Sequence, residues 1–227
     1  MRSNANRVRR PGRRVEAMIR ILTVDDHAVV RNGIKQIFEE RPGTATFGEA
    51  SNAHGACKLV REQDWDVVVL DITLGDRSGI EVMKELKAIR PKLPVLILSM
   101  HSEAQFARRA FKAGAAGYIT KDSLPEELAS AIAKVAKGGK YVSPALAEML
   151  VMDVNGGLDK APHERLSDRE FEVMCLIASG KTVSEIAELL SRSVKTISTY
   201  RTRILEKTGM RTNAEITHYV IQNKLVE

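Results

Sequence analysis

Five side chains in the first 121 residues combine types and positions that suit phosphoryl chemistry. Asp25 and Asp26 follow the apolar run 19–24, Asp71 follows the run 67–70, Ser99 follows 95–98, and Lys121 follows 117–120. Each stands at the carboxyl end of a short, β-branched segment. Three carboxylates drawn into one crevice repel one another and call for a cation. An oxygen-rich set with few protein ligands suits Mg²⁺, which keeps several waters and takes up phosphate oxygens. A carboxylate held beside that ion can act as a nucleophile toward a phosphoryl group, giving an aspartyl phosphate. Ser99 can hydrogen-bond a phosphoryl oxygen, and Lys121 can neutralise another as a compact point charge. Taken singly, an acid after a strand is an ordinary helix cap or turn residue. The five together, spread over four strand ends, carry the reading.

These positions require a scaffold that brings strand ends together. From 19 to 137 the pattern alternates strand and helix: runs at 19–24, 46–50, 67–70, 95–98 and 117–120 are separated by helical spacings such as Val30, Ile34, Ile37 and Phe38, or Leu128, Ala131, Ile132 and Val135. Nearly continuous apolar strands suit a parallel sheet covered on both faces. Five such units predict an α/β, flavodoxin-like, doubly wound five-stranded parallel sheet over 18–140, with its site at the carboxyl ends of the strands. Gly138 and Gly139 close this unit, and 141–165 reads as a linker with a short helix.

From Leu166 onward the pattern is purely helical, predicting a small all-α domain over 166–227. Ser167 and Glu170 have capping-box spacing, Ser193 and Thr212 are further caps, and Gly180 and Gly209 are stops. A helix from Val183, a turn at 191–193 and a helix over 194–208 have helix-turn-helix proportions. Val194, Ile197, Tyr200, Ile204 and Leu205 face inward. Lys195, Ser198, Thr199, Thr202 and Arg203 lie opposite, where a major groove of double-stranded DNA can be read. Thr196, Arg201, Lys207 and Arg211 are placed for phosphates. A solvated face is the plainer alternative, but Ser and Thr are poor choices for a merely solvent-facing helix.

Charge supports this only locally. The net charge is +6, yet residues 1–17 contain six arginines and one acid, and 141–227 contain 11 basic against 12 acidic residues. The relevant cluster is 192–211, with six bases and one acid. The tail 1–17 reads as disordered and basic, and Met18 just before the first strand offers an alternative start. No run reaches membrane-spanning length. Cys57 and Cys175 read as two buried thiols rather than an interdomain disulfide, which places the chain in a reducing cytoplasm.

The segments LTVDDH, VVVLDITLGDRSG, VLILSMH and GYITKD resemble the receiver domains of two-component response regulators. The resemblance implies that a sensor histidine kinase phosphorylates Asp71, and that Asp25, Asp26, Asp71 and the backbone carbonyl of Thr73 hold Mg²⁺. It also implies that Ser99 and Tyr118 form a switch pair, the hydroxyl turning toward the phosphoryl group and the ring following inward. Gly75 departs from a frequent proline, suggesting a more mobile loop; Met100 and His101 replace small residues. Residues 166–226 resemble the LuxR-type helix-turn-helix of the NarL/FixJ subfamily, through LSDRE, SEIA, VKTIS and the lysine before the closing Thr-Gly. Tyr200 stands where histidine is frequent. The last helix, around 216–221, resembles a dimer-forming helix. The expectation is a cytoplasmic transcriptional regulator, a homodimer on promoter half-sites, with no enzymatic role beyond phosphorylation and dephosphorylation at Asp71. An aspartyl-phosphate phosphatase is the rival from another class; it needs a second carboxylate two residues after the nucleophile, where Thr73 stands. A receiver serving only as a protein-interaction module is another.

Overall fold

A computed structural model describes residues 18–39, 43–75, 77–100, 103–143, 147–148, 161–223 and 225–226. The basic tail and most of the linker lie outside the described residues; of the linker, a short 3₁₀ helix at Pro162–Arg165 is described. In the first unit the elements run β1 (Ile19–Val24), α1 (Ala28–Glu39), β2 (Ala45–Ala50), α2 (Ala53–Glu62), β3 (Val67–Asp71), β4 (Thr73–Leu74), β5 (Arg77–Ser78), α3 (Gly79–Ile89), β6 (Val95–Ser99), α4 (Glu103–Lys112), β7 (Gly117–Thr120) and α5 (Pro125–Ala136). Five strands form one parallel sheet in the order β2-β1-β3-β6-β7, with Val24 level with Leu70, Asp71 with Leu98, and Ser99 with Thr120.

Period-two alternation divides the strand residues between two apolar layers. Leu22, Val24, Val68, Leu70, Val95, Ile97 and Tyr118 pack with α2, α3 and α4, whereas Ile21, Val67, Val69, Leu96, Leu98 and Ile119 pack with α1 and α5. Continuous apolar strands therefore reflect coverage on both faces. The order places the gap between β1 and β3 at the centre of the sheet, where the chain switches direction of winding. The strand ends there are where a doubly wound sheet places its site.

A short 3₁₀ turn (Pro162–Arg165) leads to α6 (Asp168–Ala178), α7 (Val183–Leu189), α8 (Val194–Thr208) and α9 (Asn213–Gln222). Reciprocal capping boxes open α6 at Ser167/Glu170 and α7 at Thr182/Glu185; Ser193 and Thr212 cap α8 and α9. These side chains satisfy amide groups that would otherwise lack partners at a helix start. Every position of α6 from Arg169 to Ile177 is buried, because it packs on α8 and α9 on some sides and on the sheet unit on others. Phe106 of α4 meets Phe171 edge-on, with ring centroids 5.1 Å apart, and the Arg109 guanidinium lies 4.1 Å from the Phe171 ring centre. Arg109 also donates to the carbonyls of His163 and Leu166. Both cysteines are buried and unpaired.

Candidate functional site

The carboxyl ends of β1, β3 and β7 bring Asp25, Asp71 and Lys121 together. Lys121 Nζ lies 2.8 Å from both Asp25 Oδ2 and Asp71 Oδ2. Asp25 and Asp71 are almost wholly buried, while Asp26 is exposed. Carboxylate oxygens of Asp25, Asp26 and Asp71 fall within 4.8 Å of one another together with the ring nitrogen of His27. The amide of Thr73 donates to Asp71 Oδ1 at 3.1 Å. Burial first, then the charge of Asp25, raise Asp71 to about pKa 6, against the smaller downward pull of Lys121. Burial acts to lower Lys121, but Asp71 and Asp25 outweigh it and raise it. One lysine against three carboxylates leaves room for a hard cation. The all-oxygen donor set of the acids, two buried and one open to water, fits Mg²⁺.

The pocket is sharply shaped by its floor and rim. Gly79 begins α3 directly against β3, and a Cβ there would overlap the Asp71 carbonyl oxygen. The segment after Asp71 turns back as the β4–β5 hairpin, Thr73 pairing with Ser78. Gly75 within it has φ +46, a value proline cannot adopt, so this turn requires a residue other than proline. Ser99 and Tyr118 are both fully buried, the ring inside the layer shared with α4. Met100 is exposed, and His101 lies outside the described residues.

Most of the helix-turn-helix residues follow their assigned faces. Ile197 and Ile204 are buried; Lys195, Ser198, Thr199, Thr202 and Arg203 are exposed on α8. Of the other side chains expected to face inward on α8, Tyr200 and Leu205 are half-buried, but Val194 is exposed, because it is the first residue of the helix and lies at its open end. Thr199 and Thr202 hydroxyls donate back to the carbonyls of Lys195 and Ser198. The residues read as phosphate contacts already have partners: Thr196 with Ser193, Arg201 with Asn213, and Lys207 with the buried Glu170 at 2.6 Å. Arg211 lies beyond α8, its amide bonded to Glu215.

Sequence reasoning passed over His27, whose adjacency to Asp25-Asp26 was the available signal. It also passed over the contact between the two units. Thr73 Oγ1 donates to Glu172 Oε1 at 2.7 Å, Arg169 Nη1 bonds Glu172 Oε2 at 2.6 Å, and Arg169 Nη2 donates to the Gly75 carbonyl at 3.3 Å. The only trace was the four charged residues Asp168, Arg169, Glu170 and Glu172 at the start of an otherwise apolar helix.

Comparison with known families agrees with this architecture. Residues 21–133 match the response regulator receiver domain, and 164–220 match the bacterial regulatory proteins of the luxR family. The chain belongs to the response regulators that join a receiver to a LuxR-type helix-turn-helix. It is 34% identical over 209 residues to response regulator UvrY of Escherichia coli K12, covering 92% of this chain and 96% of that one. It is 34% identical over 211 residues to response regulator GacA of Pseudomonas aeruginosa, covering 92% and 99%. Similar solved structures include a LuxR-family two-component regulator from Aurantimonas sp. SI85-9A1, with TM-score 0.56, 40% identity and coverage of 61% and 99%. Another is RcsB of Salmonella enterica serovar Typhimurium bound to promoter DNA with the phosphomimetic BeF₃⁻, with TM-score 0.59, 26% identity and coverage of 89% and 98%. Among the described residues no helix is long and apolar enough to cross a membrane.

Proposed function

We propose that this protein is a phosphorylation-controlled, sequence-specific transcriptional regulator, divided into a receiver at 18–140, a linker at 141–165 and a DNA-binding domain at 166–227. The observation that carries it is the convergence of Asp25, Asp71 and Lys121 from three strand ends onto one buried point. An Asp71 carboxylate oxygen attacks the phosphorus of a sensor histidine kinase's phosphohistidine; the P–O bond forms as the P–N bond to the kinase breaks. Asp25, Asp26, Asp71 and the Thr73 carbonyl would hold Mg²⁺, which supplies positive charge to the phosphoryl oxygens. Lys121 takes another of those oxygens by ion pairing, and Ser99 donates a hydrogen bond to a third. With Ser99 drawn in, Tyr118 is retained inside the sheet layer and the change reaches α4. The phosphatase alternative is disfavoured: Thr73, two residues after the nucleophile, has no carboxyl, and its hydroxyl is engaged by Glu172.

On the DNA side, exposed Lys195, Ser198, Thr199, Thr202 and Arg203 form the reading surface in a major groove, with Thr196, Arg201 and Lys207 at its phosphate flanks. Exposed Ile221 on α9 supports pairing of two chains on paired half-sites, in the cytoplasm where promoter DNA lies. The promoter-bound RcsB relative supports the same assignment. The test is acyl-phosphate labelling: with Mg²⁺ and a small phosphodonor the protein gains one alkali- and hydroxylamine-labile phosphoryl group, and Asp71→Asn abolishes it because an amide is not a nucleophile toward phosphorus. Unchanged labelling in that variant would end the assignment.

A further inference from the structure

We infer that Glu172 and Arg169, on the first helix of the DNA-binding domain, are positioning residues for the Mg²⁺-binding loop of the receiver. The inference rests on the phosphoacceptor reading of Asp71. Thr73 stands at the centre of the arrangement. Its amide donates to Asp71 Oδ1, its carbonyl is the proposed metal ligand, and its hydroxyl donates 2.7 Å to Glu172 of the other domain. Two residues on, the Gly75 carbonyl accepts from Arg169, and a Cβ at Gly75 would stand in ordinary van der Waals contact, 3.6 Å, from Asp26 Oδ2. The hairpin is therefore held between the metal carboxylates on one side and a buried ion pair on the other.

The chemistry of that pair argues for a task. Arg169 and Glu172 are each 3% exposed, and burying an ion pair gains little unless its remaining hydrogen-bonding capacity is used. Here both partners direct bonds across to the receiver loop. The arrangement does not cover the reading surface: Lys195, Ser198, Thr199, Thr202 and Arg203 stay exposed with the two domains in contact. The contact thus acts on the pocket rather than on access to DNA. By holding Thr73 and Gly75, the second domain removes conformational freedom from the loop whose carbonyl must meet the ion, and so favours metal binding before any phosphoryl group arrives. Because coupling between sites is reciprocal, Mg²⁺ must equally favour the docked domain.

The test is a calorimetric Mg²⁺ titration of the full-length chain, with Mn²⁺ paramagnetic resonance as a second readout. Thr73→Val keeps the β-branched shape and removes the hydroxyl; Glu172→Met keeps most of the volume and removes the acceptor oxygen together with the charge. Each is expected to weaken Mg²⁺ by about fivefold or more, and the double variant to be no worse than the poorer single one, since both break one link. Lys84→Ala, which cuts the interdomain Lys84–Asp168 pair elsewhere, is expected to leave Mg²⁺ affinity unchanged. A merely structural bond would lower thermal stability without this pattern. In the unsubstituted chain Mg²⁺ should slow amide exchange across the first turn of α6, a measurement that needs no variant. Wild-type affinity in both variants, with Asp71→Asn deficient, would overturn this inference and leave the phosphoacceptor standing. Equal, negligible Mg²⁺ binding by wild type and Asp71→Asn would overturn both.

Discussion

Replacing Asp71 by asparagine should stabilise the metal-free protein, by an amount that depends on pH. In the folded state Asp71 keeps its proton up to about pH 6, chiefly because it is buried and next because Asp25 lies close, whereas its ordinary value is 3.8. Between those values the folded state binds more protons than the unfolded one, so stability falls as pH rises through the window. At 1.36 kcal/mol per pKa unit, the gap corresponds to about 3 kcal/mol lost by pH 7. The asparagine amide does not titrate, so groups remote from the pocket cancel in the difference between the two proteins. Urea unfolding in EDTA, followed by the fluorescence of Trp65, reports the receiver because this is the chain's only tryptophan and is buried there. The stability of Asp71→Asn relative to wild type should grow by about 2 kcal/mol from pH 4 to pH 7, the remainder having developed below pH 4. Millimolar Mg²⁺ should stabilise wild type at pH 7 and do so progressively less below pH 6, as protons compete for the carboxylate. Parallel stability curves for the two proteins across pH 4–7 would refute the electrostatic account of the pocket.

Gly79→Ala should destabilise the receiver by about 1–3 kcal/mol and depress labelling of Asp71, because the added methyl must displace the Asp71 carbonyl or the start of α3; urea unfolding and phosphodonor labelling check both. Lys207→Ala should weaken binding to all DNA sequences alike and reduce the salt slope by about one, and it should lower thermal stability by leaving the buried Glu170 carboxylate without this cation. His163, pushed down to about 4 first by burial and then by Arg109, stays neutral at pH 7 beside Tyr219, 2.8 Å away. Its folded value is depressed, so stability is lost as pH falls from 6.5 toward 4; His163→Phe should flatten that part of the circular-dichroism melting profile.

The sequence by itself determined which residues would stand at strand ends, because the switch from apolar run to Asp, Ser or Lys is local and so is the period of each element. Capping boxes and the inward stripe of α8 were legible for the same reason: their partners lie three or four residues away. The Thr182/Glu185 box followed the same rule and was simply passed over. Tertiary structure alone decided the rest. That Asp71 holds a proton to about pH 6 depends first on its burial, which strand position does not reveal, and then on Asp25, whose nearness the strand ends did reveal. His27 joins the acidic cluster because α1 begins just after it and leaves its ring facing Asp25 and Asp26, at 3.1 and 2.8 Å. The bond from Thr73 to Glu172 spans 99 residues. In the sequence Arg169 and Glu172 read as an ordinary i, i+3 pair on one helix, which they also are. The packing of Phe171 against Phe106 and Arg109, with the Lys84–Asp168 pair beside it, holds that helix on the receiver, and no local pattern encodes contacts between residues so far apart in the chain.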